Sequence, residues 1–206
     1  MSTKLYLTNT TAPVVPGATR GVWSNTASAV DYAVKPTKEG AYASRSLTPT
    51  QTTGGTLFYR LVSPPLAAPL TISGSIDSVI MASASSSAAI GRYYVYVMAP
   101  NGSVRGTLAG TSNSNNTVSA TLGGYQLIPN GNTVANVNAL FGDRMVIEVG
   151  MTGNQLGVTG VAGRGGTSTD ITAGDTNTTH PGWIAFGANF VFNGEGDPDS
   201  GYAFIL

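Results

Sequence analysis

The chain has 206 residues, ten basic and ten acidic side chains, a single histidine and no cysteine, so its formal net charge is zero. That balance leaves no basic footprint for nucleic acid or anionic lipid. The missing thiols exclude disulfides, thiolate catalysis and cysteine-based metal sites.

Charged residues are only 10% of the chain, against about 25% in an ordinary globular protein. Polarity is carried instead by 26 Thr, 19 Ser and 14 Asn, alongside 27 Gly. Thr favours strands, while Gly and Asn favour tight turns, so the mixture points to β structure. With few charges there is little self-repulsion, which suits a surface that ends inside an assembly.

The first stretch, MSTKLYLTNTTAPVVPG, has no charged region followed by an apolar one, so synthesis and folding in a cytoplasm are expected. No apolar run approaches the roughly 20 residues of a membrane helix. Pro13, Pro16, Pro36 and Pro49 interrupt residues 1–55, which read as an irregular arm or long loops around a first strand. TLFYRLV (56–62) then reads as a strand, and SPPLAAP (63–69) as a rigid connector. In LTISGSIDSVI, Leu70, Ile72, Ile76 and Ile80 share one face of a single strand, opposite Thr71, Ser73, Ser75 and Asp77. RYYVYVM (92–98) is another strand, and both it and TLFYRLV present a wetter opposite face. Asn101-Gly102 marks a hairpin turn, and Asn130-Gly131 and Asn193-Gly194 are similar punctuation. Val134, Val137 and Phe141 hint at a helical turn over 134–141. In DRMVIEVGM, Met145, Ile147, Val149 and Met151 point one way, while Arg144 and Glu148 point the other as exposed polar groups.

Many short strands with Gly, Asn and Pro punctuation predict an all-β fold, an antiparallel β-sandwich of jelly-roll type with an irregular N-terminal region. Residues 1–206 form one domain: the arm and first strand (1–55), the core sandwich (56–193), and an acidic turn with a terminal strand or arm (194–206).

His180, in ITAGDTNTTHPGWIAFG, invites a catalytic reading. Asp175 can orient it, and Thr178 or Thr179 is close, with Asp170 further upstream. Pro181, however, biases it towards extended backbone, and HPGW reads as a polar turn leading into WIAF. One histidine cannot build a multi-histidine metal site. Glu195, Asp197 and Asp199 in NGEGDPDSG alternate as calcium ligands do, but Pro198 intrudes, and the twelfth position of such a loop is Leu206 rather than an acid. An acidic turn without a cofactor is the expectation. Asp31, Asp77, Asp143 and Glu148 are scattered, without the paired carboxylates of glycoside hydrolysis, so no catalytic residue is assigned. Tyr93, Tyr94 and Tyr96 fall on one strand, with Tyr94 and Tyr96 on the same face. With Trp183 they are the candidate binding or interface residues, for a carbohydrate or, preferably, another protein surface.

Six stretches in order carry a resemblance: KLYLTNTTAP, GATRGVWSNTASAV, RLVSPPLAAPLTISGSI, VYVMAPNGSVRGTL, FGDRMVIEVG and TDITAGDTNTTHPGWIAF. Together they resemble a family of tailed-phage and prophage structural proteins, virion components with a β-sandwich core, over most of residues 4–187. The resemblance implies a non-enzymatic virion protein assembled in the host bacterial cytoplasm. Its expected role is capsid decoration or a minor head protein, with the major capsid protein or tail components as partners and self-association as a homo-oligomer. A receptor- or glycan-binding module of a tail fibre is the alternative, and a polysaccharide-degrading enzyme using Glu148 or Asp143 the third reading. YAFIL (202–206) lies outside the resemblance and is expected to add a strand to its own sheet or a neighbour's.

Overall fold

Alternating apolar side chains build strands wherever one face can be buried. In the computed structural model, which describes residues 2–21, 23–26, 29–48, 55–85, 89–111, 117–153 and 160–193, they do so fifteen times. The strands are β1 (Thr3–Thr11), β2 (Trp23–Asn25), β3 (Val30–Lys35), β4 (Ala43–Leu47), β5 (Gly55–Val62), β6 (Leu70–Ile72), β7 (Ser75–Ala84) and β8 (Ala89–Met98). They continue with β9 (Val104–Thr111), β10 (Thr117–Val118), β11 (Gly123–Thr133), β12 (Val137–Ala139), β13 (Arg144–Gly153), β14 (Gly160–Arg164) and β15 (Trp183–Phe186).

Thirteen strands share one hydrogen-bonded sheet, along β10-β8-β13-β5-β3-β1-β15-β7-β14-β4, with β9 on β8, β11 on β7 and β2 on β5; β6 and β12 pair separately. The sheet doubles back to make the two layers of a β-sandwich. Leu61, Ile147 and Val149 from β5 and β13 face Ile80, Leu127 and Ile184 from β7, β11 and β15 across the core. Pairings are antiparallel except β2–β5 and β3–β5, which are parallel.

The inner face of β13 is the expected one: Met145, Ile147, Val149 and Met151 all join the core. Between Val149 and Gly150 the register with β5 shifts, so that Tyr59 and Leu57 oppose consecutive residues. This bulge turns both Phe58 and Tyr59 into the core.

Several expectations are corrected. Residues 1–55 hold four strands, β1 to β4, with irregular segments between them. The alternation over 70–80 is two strands, β6 and β7, separated at Gly74, whose φ of 92° suits glycine. Their apolar residues stay in phase because Ile72, Ile76 and Ile80 enter one core. The expected helical turn is strand β12, with Val137 and Ala139 buried and Asn138 exposed. Asn130-Gly131 lies inside β11, where pairing with β7 shifts between Ile128 and Asn132. Asn101-Gly102 does turn β8 into β9: Gly102 has φ 83°, and Asn101 Oδ1 accepts the Ser103 N–H at 3.0 Å. The far faces of β5 and β8 are not wet, for the reason that follows.

Candidate functional site

Across the outer face of four adjacent strands runs one row of polar side chains: Tyr94 of β8, Glu148 of β13, Arg60 of β5 and Asp31 of β3, each paired in register with the next. Residues 12–21 and Trp23 lie over this row like a strap. Glu148 is fully buried and accepts three hydrogen bonds from the strap: from the N–H of Arg20 (2.6 Å) and of Gly21 (2.8 Å), and from Nε1 of Trp23 (2.6 Å). Arg60 holds Asp31 through two bonds of 2.6 and 2.8 Å and donates to the Pro16 carbonyl at 3.0 Å. The Tyr96 hydroxyl donates to the Ala18 carbonyl at 2.8 Å. Glycine at position 21 is required, because a Cβ there would collide with the rings of Trp23 and Tyr94.

The strap decides where the tyrosines stand. Tyr93 faces the core and is 3% exposed, and Tyr96 is 1% exposed under the strap. Burial pushes the Tyr96 phenol well above the ordinary tyrosine range, helped by the Glu148 carboxylate. Tyr94 is half-buried, its ring edge-on to Trp23 with 6.2 Å between centroids. The three rings therefore do not form an open stacking platform. Glu148, expected as an exposed acid, is instead the strap's anchor. Its one sequence signal is position, an acid between Ile147 and Val149 in a strand whose other face is wholly apolar.

Trp183 is also half-buried. Its Nε1 donates to the Ile171 carbonyl at 2.9 Å, and the Lys4 ammonium sits 4.3 Å above the ring. Lys4 and Lys38 both pair with Asp170, at 2.6 and 2.7 Å. Burial raises the Asp170 carboxyl, but the two ammonium groups outweigh it and hold the group below the usual carboxylate range. Burial and then the Asp170 charge push the neighbouring Tyr6 phenol up to about 12.

His180 is tied into its own loop. Nδ1 pairs with Asp175, and Nε2 lies 3.3 Å from the Asn177 amide nitrogen. The Thr179 hydroxyl donates to Asn177 Oδ1 at 2.9 Å. The orienting carboxylate is thus present, but the ring's other nitrogen faces an amide rather than a nucleophile. The Asn177 N–H, first, and then His180 hold the Asp175 carboxyl below its ordinary value. Asp143 is fully buried, bonded by Arg105 and by the Leu140 N–H at 2.8 Å. Neither it nor Glu148 is open to a substrate. Among the described residues no group of three or more acidic or histidine side chains could hold a metal ion. The calcium candidates Glu195, Asp197 and Asp199 lie outside the described residues.

A groove of about 600 Å³ opens between the β10–β11 region and residues 173–176. Among the described residues its walls carry hydroxyls and amides, Thr117, Ser119, Thr121, Tyr125, Gln126 and Thr176, and no charged side chain. Gly124 lets the two walls approach, since a Cβ there would strike the Thr172 carbonyl. Nothing in the sequence pattern singled out this groove, because its walls are distant segments of ordinary loop composition.

No family model and no curated protein matches the chain. Among solved structures it is similar to a CocE/NonD family hydrolase from Staphylococcus aureus, with 10% identity and a TM-score of 0.33, over 92% of this chain and 35% of that one. It is also similar to infectious bursal disease virus, Gx strain, with 13% identity and a TM-score of 0.27, over 70% of this chain and 39% of that one. The VP2 subviral particle of infectious bursal disease virus gives 13% identity and a TM-score of 0.26, over 70% and 36%. The chain spans well under half the length of each of these proteins.

Proposed function

We propose that the chain is a non-enzymatic structural component of a tailed-phage virion, a capsid decoration or other minor head protein that adheres to a protein lattice. The disposition of charge carries this reading. Of the ten acidic residues, Glu195, Asp197 and Asp199 lie outside the described residues. The other seven are all engaged within the chain: Asp31 by Arg60, Glu39 by Lys35, Asp77 by Gln126, Asp143 by Arg105, Asp170 by Lys4 and Lys38, Asp175 by His180, and Glu148 by the strap. Thr71, Ser73, Ser75, Thr167, Ser168 and Thr169 are among the groups turned outwards. Desolvating a charge is costly and interface centres are depleted of charge, so a neutral hydroxyl surface suits repeated protein contact. The ordered resemblance to phage structural proteins supports the same reading. Immunogold labelling of intact particles with an antibody against the recombinant chain tests it. Gold around the head is expected, and particles without gold would overturn the assignment.

The uncharged groove favours a second reading, a glycan-binding module of a tail fibre, since hydroxyl and amide walls match neutral sugars. Glycan-array binding that is lost in Thr121→Trp, which fills the groove, together with gold at the tail tip, would replace the first reading with this one.

A further inference from the structure

Five large apolar side chains are exposed among the described residues: Val14 (37%), Val15 (69%), Leu140 (47%), Phe141 (60%) and Val191 (58%). Leu140, Phe141 and Val191 stand together at one end of the sandwich. The Ala67 N–H donates to the Val191 carbonyl at 2.8 Å and the Gly142 N–H to that of Leu66 at 2.9 Å, so segments 140–142, 66–67 and 191 lie side by side. Pro100 adjoins Gly142, since a Cβ on that glycine would meet its ring at 3.1 Å. The next turn reaches the strap, where a Cβ on Gly17 would stand 3.4 Å from the Gly102 carbonyl oxygen. Single exposed apolar residues are ordinary, but a contiguous set marks a contact surface. The charges around it are engaged: Arg105 by buried Asp143, Arg60 by Asp31, and Arg144 by the Ser63 carbonyl at 2.8 Å.

Asn193, the last described residue, lies at this same end, its N–H donating to the Pro65 carbonyl at 2.7 Å. The sequence continues as GEGDPDSG and then YAFIL, residues 202–206, which have no charged side chain. Even fully extended, the eight residues 194–201 span at most about 28 Å. Such a tether gives the following segment an effective local concentration on the order of millimolar. We propose that residues 202–206 of the same chain occupy this apolar end, packing against Leu140, Phe141 and Val191. The tether favours the chain's own segment over one from another copy, because a separate molecule must match that local concentration. This inference does not depend on the virion reading. It leaves the neutral hydroxyl faces, not the apolar end, as the surface presented to partners.

The chain has no cysteine, so Leu140→Cys with Ala203→Cys supplies the only two thiols, the first at an exposed position. The control pair is Ala173→Cys with Ala203→Cys, on the loop held by the Gly124 carbonyl. With a short bis-maleimide at low protein concentration, the 140/203 pair should link within one molecule about tenfold faster than the control. Cross-linked dimers in place of linked monomers would overturn the proposal in favour of exchange between copies. Equal rates for the two pairs would overturn it outright. A second readout uses unmodified chains: deleting residues 202–206 should raise binding of an apolar fluorescent dye, and Phe141→Ser should abolish that rise. Unchanged dye binding after the deletion would also overturn it.

Discussion

Replacing Glu148 with glutamine tests whether one buried carboxylate holds the strap on the sheet. The side chain is fully buried and receives three N–H donors at 2.6 to 2.8 Å. Glutamine keeps the volume and one acceptor. With its oxygen placed where Oε2 stands, it retains the bonds from Gly21 and Trp23, but its amide nitrogen then meets the Arg20 N–H donor to donor. A hydrogen bond to a charged group contributes about 1.5–3 kcal/mol net. The two retained bonds weaken on losing the charge, while burying a neutral amide costs less than burying a carboxylate. The expected net loss is roughly 2 kcal/mol. Glu148→Ala leaves all three donors bare and should cost about 3–5 kcal/mol. For a chain of this size each kcal/mol moves the midpoint by about 2–4 °C, so the glutamine variant should melt about 4–8 °C lower. Calorimetry and urea denaturation read the loss, and amide exchange at Arg20 and Gly21 reports where it arises. A glutamine variant within about 0.5 kcal/mol of the parent, with both amides still protected, would refute the reasoning.

Other expectations follow from the same contacts. Tyr96→Phe removes the bond to the Ala18 carbonyl and should cost about 1 kcal/mol. Combined with Glu148→Gln in a urea titration it should cost less than the sum, because both hold one strap. Gly150→Ala should lower stability by about 1–3 kcal/mol and shift Trp23 emission, since its Cβ would collide with the Thr56 carbonyl and the Trp23 ring. Asp170 titrates below its ordinary value because two ammonium groups outweigh its burial. Its contribution is therefore present above the unfolded value of about 3.9 and is lost as the pH falls through the lower folded value. Stability measured below about pH 4 should accordingly fall less steeply in Asp170→Asn than in the parent, and equal slopes would remove Asp170 from the acid response. EDTA should leave the melting midpoint unchanged, whereas a drop would restore Glu195, Asp197 and Asp199 as calcium ligands.

Period-two patterning locates strands and their inner faces because burial on one side is a local, repeating demand on sequence. Met145, Ile147, Val149 and Met151 show it plainly, and so do Ile76 and Ile80. The same patterning says nothing of what covers the other face. Glu148 and Tyr96 look solvent-facing in sequence because the groups that bury them are the Arg20, Gly21 and Ala18 peptide groups, 128, 127 and 78 residues away. A strap held largely through its own backbone N–H and carbonyl groups, with the Trp23 indole adding one bond, needs little side-chain pattern, so its proline-broken sequence reads as an irregular arm. A related limit explains the missed break at Gly74: two strands feeding one core keep the same phase, and only the positive φ marks the turn. At 134–141 the spacing of Val134, Val137 and Phe141 fits a helical stripe, yet Val137 and Ala139 alternate with an exposed Asn138 on a three-residue strand. Three apolar residues are too few to separate a period of 3.6 from a period of 2, and pairing with β6 decides between them. Elements specified by their own side chains were thus legible, while the strap and the groove, specified by distant backbone, were not.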